Sequence, residues 1–326
     1  MQTANPFKIG CLLAGLVTCG LGTAQAQTIT NADAAVTLNL GGSWVGGTPA
    51  GSANVAVWDH TVQVNTTKAL GANLSWAGIQ ILDPATAVTI SAGNTLTLGA
   101  AGIDLSLATN SLTLSAPVVL GASQTWNVTN GLTLTAGAVV SGSSLLTLNN
   151  GGNGGNNSGT IILGAANTYT GGTVINSGIA QPNTITSFGT GVVTNNGGTL
   201  LLSVFPSAGV MVNGFNVAGT SLIDMFGRSV SDVLDGPWSG NGTILVTNDT
   251  ASGSTLTFGG ASGGNMANFT GSIVVVTNAS GTPSAGTLRF NNGGSQVNTG
   301  NAAMSVNLGT NSTVILANRD PGTTAI

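Results

Sequence analysis

The chain has 326 residues, of which 4% are charged, and its formal net charge is −4 with only five Lys and Arg. Charged residues make up about 25% of an ordinary soluble domain, and five basic residues cannot build the patch that nucleic acid or an anionic membrane requires. Low charge beside 41% hydrophobic residues is the opposite of a disordered composition, so we expect a folded protein with a surface of Asn, Thr, Ser and Gly.

Met1–Lys8 carries one positive charge, Ile9–Leu21 is apolar, and Ala24-Gln25-Ala26 supplies a small-x-small cleavage pattern before Gln27. Residues 1–26 read as a cleaved secretion signal, and 27–326 as one mature domain. The apolar run is shorter than the roughly 18 residues of a spanning helix. Both cysteines, Cys11 and Cys19, fall in the signal, so no disulfide is expected in the mature fold. Leu16-Val17-Thr18-Cys19 has a second, lipobox-like reading, to which threonine before the cysteine is a poor fit.

The region from about 27 to 60 reads as a cap. Trp44 and Trp58 flank a Gly/Pro/Ala loop, Gly46–Gly51, and Asn54–Trp58 alternates like a strand. A stack of strands needs its first layer covered. The two tryptophans therefore read as cap packing, with a carbohydrate platform as the alternative. Strand-like runs follow at Val88–Ile90, Leu96–Leu98, Leu112–Leu114, Leu132–Leu134 and Leu145–Leu148. No helical period persists, and the spacing between runs is irregular, which predicts stacked parallel strands with variable corners.

Within residues 157–180, two apolar runs, Thr160–Leu163 and Thr173–Asn176, are joined by a corner rich in Gly, Asn and Thr. So small a unit cannot bury its own apolar face and must stack on others like it. Gly159, Thr160, Leu163, Asn167, Thr168, Tyr169, Gly171, Gly172, Thr173 and Gly178 occur in the order and spacing of a known pattern. In these residues the chain resembles the autotransporter-associated β-strand repeat. The resemblance implies a right-handed parallel β-helix that is exported, surface-displayed and without catalytic residues of its own.

Asn-Asn-Gly-Gly recurs at Asn149, Asn195 and Asn291, and Gly-Thr/Ser-Ile/Leu opens a strand at Gly159, Gly198, Gly242, Gly271 and Gly286. Asn and Gly tolerate the left-handed backbone of tight corners. With about 20–25 residues per rung, the mature chain makes roughly 13 rungs, a rod about 60 Å long. The last third continues with Thr243–Val246, Thr255–Phe258, Ser272–Val276, Thr287–Phe290, Val306–Leu308 and Thr313–Leu316. Relatives of the passenger type continue into a C-terminal membrane barrel. None is legible here, and we read the chain as a fragment.

Chemistry is sparse. His60 is the only histidine, which rules out a multi-histidine metal site, and neighbouring Asp59 would point to the opposite face of a strand. Gly151–Gly159 is similar to the calcium-binding nonapeptide but lacks aspartate, so calcium is not expected. The one dense polar segment holds Asp224, Arg228, Asp232, Asp235 and Trp238 and breaks the strand rhythm. It reads as a long loop held by Arg and Asp, with a shallow carbohydrate-contacting patch as the alternative. A hydrolase would need a carboxylate pair at defined separation.

The sequence therefore predicts an all-β, right-handed parallel β-helix, preceded by a cleaved signal peptide. Its expected role is non-catalytic, as an exported structural or adhesin-like passenger at the cell surface, outer membrane or outside the cell. No cofactor is expected. Partners would be glycans or cell-surface components, with membrane attachment only through a missing barrel or anchor. The alternatives are a carbohydrate-binding or carbohydrate-active β-helix using Asp224–Trp238, or the stalk of a larger enzyme.

Overall fold

The computed structural model describes residues 26–151, 158–206, 209–225, 231–247, 255–259, 266, 268–275, 287–291, 305–308 and 313–317. The signal region, Arg228, Gly286 and most of the Gly151–Gly159 stretch lie outside these residues. What is described is a parallel β-solenoid. Its strands form a 13-stranded, an 11-stranded and a 5-stranded sheet, and strand pairs are parallel throughout. The only helix among the described residues is a 3-10 turn, Gly41–Ser43. No described helix is long and apolar enough to cross a membrane, which says nothing about membrane crossing by strands.

Each rung visits three faces. On the first, Phe215–Val217 pairs with Trp238–Gly240 one turn later. On the second, Thr160–Leu163 pairs with Ile179–Pro182. The third begins as a branch, where Leu96–Leu98 of the long strand Leu96–Leu105 pairs with Val118–Leu120, which pairs in turn with Val140–Gly142. Backbone bonds from Thr168 and Thr170 to Val140 and Gly142, and from Thr190 to Tyr169, carry that face onward. Rung length varies, from Thr160 to Ile179 at the shortest to Ser272 to Ser305 at the longest. The principal path stacks eleven strands between Gln27 and Phe269.

The interior follows from period-2 alternation. Leu146 and Leu148 are buried while Thr147 between them faces out, and Leu112-Thr113-Leu114 and Gln124–Val128 repeat the pattern. Fully burying one such aliphatic side chain contributes about 1.5–3 kcal/mol. Toward the C-terminal half the core becomes an aromatic column: Phe215 stacks on Trp238 at 4.5 Å, Trp238 meets Phe258 edge-on at 4.9 Å, and Phe258 stacks on Phe290 at 5.6 Å.

Two glycine stacks set one corner of the rod. Gly159, Gly178 and Gly198 precede the in-register residues Thr160, Ile179 and Thr199. Gly219, Gly242 and Gly271 precede Thr220, Thr243 and Ser272. A Cβ on Gly242 would fall inside the carbonyl oxygen of Gly219, and one on Gly271 inside that of Gly242. The corner is glycine because the backbone of the rung beneath occupies the side-chain position. Between the two stacks the register slips, Thr199 pairing with Leu222 rather than Thr220.

Asn31 bridges Trp44 antiparallel, folding the loop back over the first strand, Gln27–Thr30. Leu38 and Asn39 bond to Ala69 and Leu70 of the second face. Trp44, Trp58 and Trp76 pack in a triangle with centroids 5.7–6.1 Å apart, and all three are buried. They form cap and core, and no carbohydrate platform. Beneath the loop, the Lys68 ammonium is buried and donates to Asn31 Oδ1 at 2.7 Å and Ala32 O at 2.6 Å.

Candidate functional site

The Asp224–Trp238 segment is less of a loop than its composition suggests. Thr220–Asp224, Asp232–Leu234 and Trp238–Gly240 are all strands, each paired to the rungs on both sides. Trp238 is 2% exposed, its indole face covered by Phe215 and its edge by Phe258. It therefore offers no face to a sugar, and the alternative reading of Trp238 as part of a carbohydrate patch gives way to a core position. Asp232 and Asp235 are also buried. Asp224 alone is half-buried on the outer side of the second face, where Thr247 Oγ1 donates to its Oδ1 at 2.9 Å. The structure thus separates the residues the sequence grouped: one aspartate faces outward, and two aspartates and the tryptophan face inward. Arg228 lies outside the described residues.

His60 sits on the surface. Its side chain is 75% exposed, its Nδ1 lies 3.9 Å from Asp83 Oδ1, and its backbone N–H donates to the same oxygen. Among the described residues, no three His, Cys, Asp or Glu side chains converge as a metal site would require. A narrow gap in the core is lined by Ile175, Val193, Leu200, Phe215 and Trp238. Its lining is almost wholly apolar, and the polar members Asn195 and Ser221 are bonded to backbone, Asn195 to Gly197 and Gly198 and Ser221 to Asn195 O.

Asn167–Thr173 is the best-defined polar constellation, and its side chains brace one corner and strap it to the neighbouring rungs. Asn167 is buried; its Oδ1 accepts from Val140 N at 2.7 Å on one rung, and its Nδ2 donates to Ser187 O at 2.6 Å on the next. Asn is the side chain that can accept on one side and donate on the other without charge. Tyr169 Oη and Thr173 Oγ1 share a buried hydrogen bond of 2.6 Å, and burial pushes the phenol well above the ordinary tyrosine range. At the corner between them, Gly172 has φ +87°, and a Cβ on Gly171 would collide with the backbone of Ser144.

Outside, neutral side chains ladder along the rod. Asn149 Nδ2 donates to Asn127 Oδ1 at 2.9 Å, Ser177 Oγ to Asn149 Oδ1 at 3.1 Å, and Asn196 Nδ2 to Asn176 Oδ1 at 2.9 Å. On the second face Thr67, Thr89, Thr113 and Thr135 stand in one file. Comparison with protein-family models, with curated proteins and with solved structures found no match to this chain.

Proposed function

We propose that this chain is an exported, non-catalytic structural element, an adhesin-like stalk of the autotransporter-passenger kind. The observation that carries the reading is where the motif residues go. Asn167 is taken up in joining its rung to both neighbours, Tyr169 and Thr173 in bracing the corner within the rung, and Gly171 and Gly172 in letting adjacent backbones close up, so these residues serve length and rigidity. A solenoid stabilised by neighbour contacts can be extended rung by rung, and its stability is close to additive along the axis. Neutral outer ladders give such a rod a hydrogen-bonding skin suited to glycans or other cell-surface components.

The test is to express the full chain in a Gram-negative host and follow its fate. The expected result is a protein whose N-terminus is Gln27 and which is cleaved by protease added to intact cells or recovered from the medium. Retention in the cytoplasm with residues 1–26 intact would overturn the reading.

A further inference from the structure

Lys68 is the only lysine after Lys8. It is 4% exposed, and Asn31, its partner at 2.7 Å, is fully buried. A buried ammonium ordinarily faces a carboxylate, because an unpaired buried charge costs several kcal/mol. Here the two groups it bonds are neutral, the carboxamide of Asn31 and the carbonyl of Ala32. Asp33 acts on it through its charge only. A lysine and an asparagine are pressed together under the cap.

The carboxamide is also immobilised. Asn31 N donates to Val57 O at 2.7 Å, and its Nδ2 donates to Ser43 O at 2.9 Å. With Nδ2 held there and Oδ1 bonded by Nζ, the carbonyl carbon stands one bond behind the oxygen that Nζ touches. Holding the amine and the carboxamide in contact removes the encounter step that free reactants would need. Burial lowers the proton affinity of Lys68, which favours the neutral amine a nucleophile must be, against the opposing charge of Asp33.

We propose that Lys68 and Asn31 join in an intramolecular isopeptide bond, formed by the protein on itself, that locks the cap to the first rung of the second face. Lys68 first gives up its ammonium proton to solvent at the partly buried Ala32 side of the site. The Nζ–Cγ bond then forms, the Cγ–Nδ2 bond breaks, and a proton passes from Nζ to Nδ2, which leaves as ammonia. One amine and one primary amide become one secondary amide and one ammonia. No oxidant, reductant or co-reactant is consumed. Loss of the buried charge and escape of ammonia to solvent drive the step forward.

The experiment uses the full mature chain. Its intact mass is expected to fall short of the sequence mass by one ammonia. Chymotryptic cleavage after Trp44 and Trp58 should leave the segments bearing Asn31 and Lys68 joined. In the denatured chain an amine-reactive dye should not label Lys68. The Lys68→Arg variant should regain the sequence mass and release separate segments. In Asn31→Asp, any linkage should release water instead of ammonia. A mass equal to the sequence with Lys68 labelled on denaturation overturns the proposal. So does loss of one ammonia with separable segments, because cyclisation of Gln27 at a newly cleaved N-terminus releases the same ammonia without a cross-link. The dye readout needs only wild-type protein, so it decides the matter even if a variant fails to fold.

Discussion

Tyr169 Oη and Thr173 Oγ1 lie 2.6 Å apart in the interior, joining the two ends of a corner that turns between faces. Tyr169 is the only tyrosine in the chain, which makes this bond directly observable. Burial raises the folded-state pKa of the phenol above its ordinary value of about 10. The unfolded chain therefore releases this proton at lower pH than the folded one, and the stability it contributes is intact below about pH 10 and lost as pH rises beyond it. Tyrosinate absorbance should stay absent in the folded protein past pH 10 and appear only with unfolding. A tyrosinate signal rising near pH 10 with the fold intact would contradict the burial. Tyr169→Phe strands the Thr173 hydroxyl and should cost about 1–3 kcal/mol.

Asn167→Ala removes both straps at once. The Val140 amide and the Ser187 carbonyl lose their partner in the interior, at about 1–3 kcal/mol for each stranded group. Hydrogen exchange at Val140 should accelerate while that at Leu98, rungs away, stays as in wild type. Asn167→Asp should be no better, since it trades a donor for a charge facing the Ser187 carbonyl.

The glycine corner yields a paired comparison. Gly242→Ala places a methyl against the carbonyl of Gly219, and Gly51→Ala meets nothing closer than 3.6 Å. The first is expected to lower stability by about 1–3 kcal/mol, the usual range for overpacking. The second should shift the denaturation midpoint little. Equal effects would mean the stack tolerates a side chain at its corner.

Trp44→Ala opens the aromatic triangle from above. Truncating a buried tryptophan costs about 3–5 kcal/mol, and in a stack of neighbour-coupled rungs the loss is local. Exchange protection should fall at Val57 and Ile79 and persist at Leu163. Uniform loss along the chain would show that the rod melts as one unit.

The solenoid was legible because its signals are short-range. Val88–Ile90, Leu112–Leu114, Thr160–Leu163 and Thr255–Phe258 are strands with the bounds the alternation predicts, and Gly159, Gly198, Gly242 and Gly271 precede strands as expected. The run from Leu96 reaches Leu105 because Gly99–Gly102 carries the strand around a corner that looks like a break in the pattern. Asp232–Leu234 was illegible for a related reason: two apolar residues among aspartates carry almost no period. What buries Trp238 is Phe215 and Phe258, from the rungs on either side, and nothing adjacent in sequence announces either contact. Lys68 was equally silent, since Asn31 reaches it only once the cap has folded over.

The ladder from Asn127 through Asn149 to Ser177 is made of neutral groups. Ion pairs on a protein surface weaken as dissolved ions screen them, over about 8 Å at physiological ionic strength, but amide and hydroxyl dipoles in contact are nearly indifferent to that screening. A rod bound this way should hold its shape alike in fresh water and in brine.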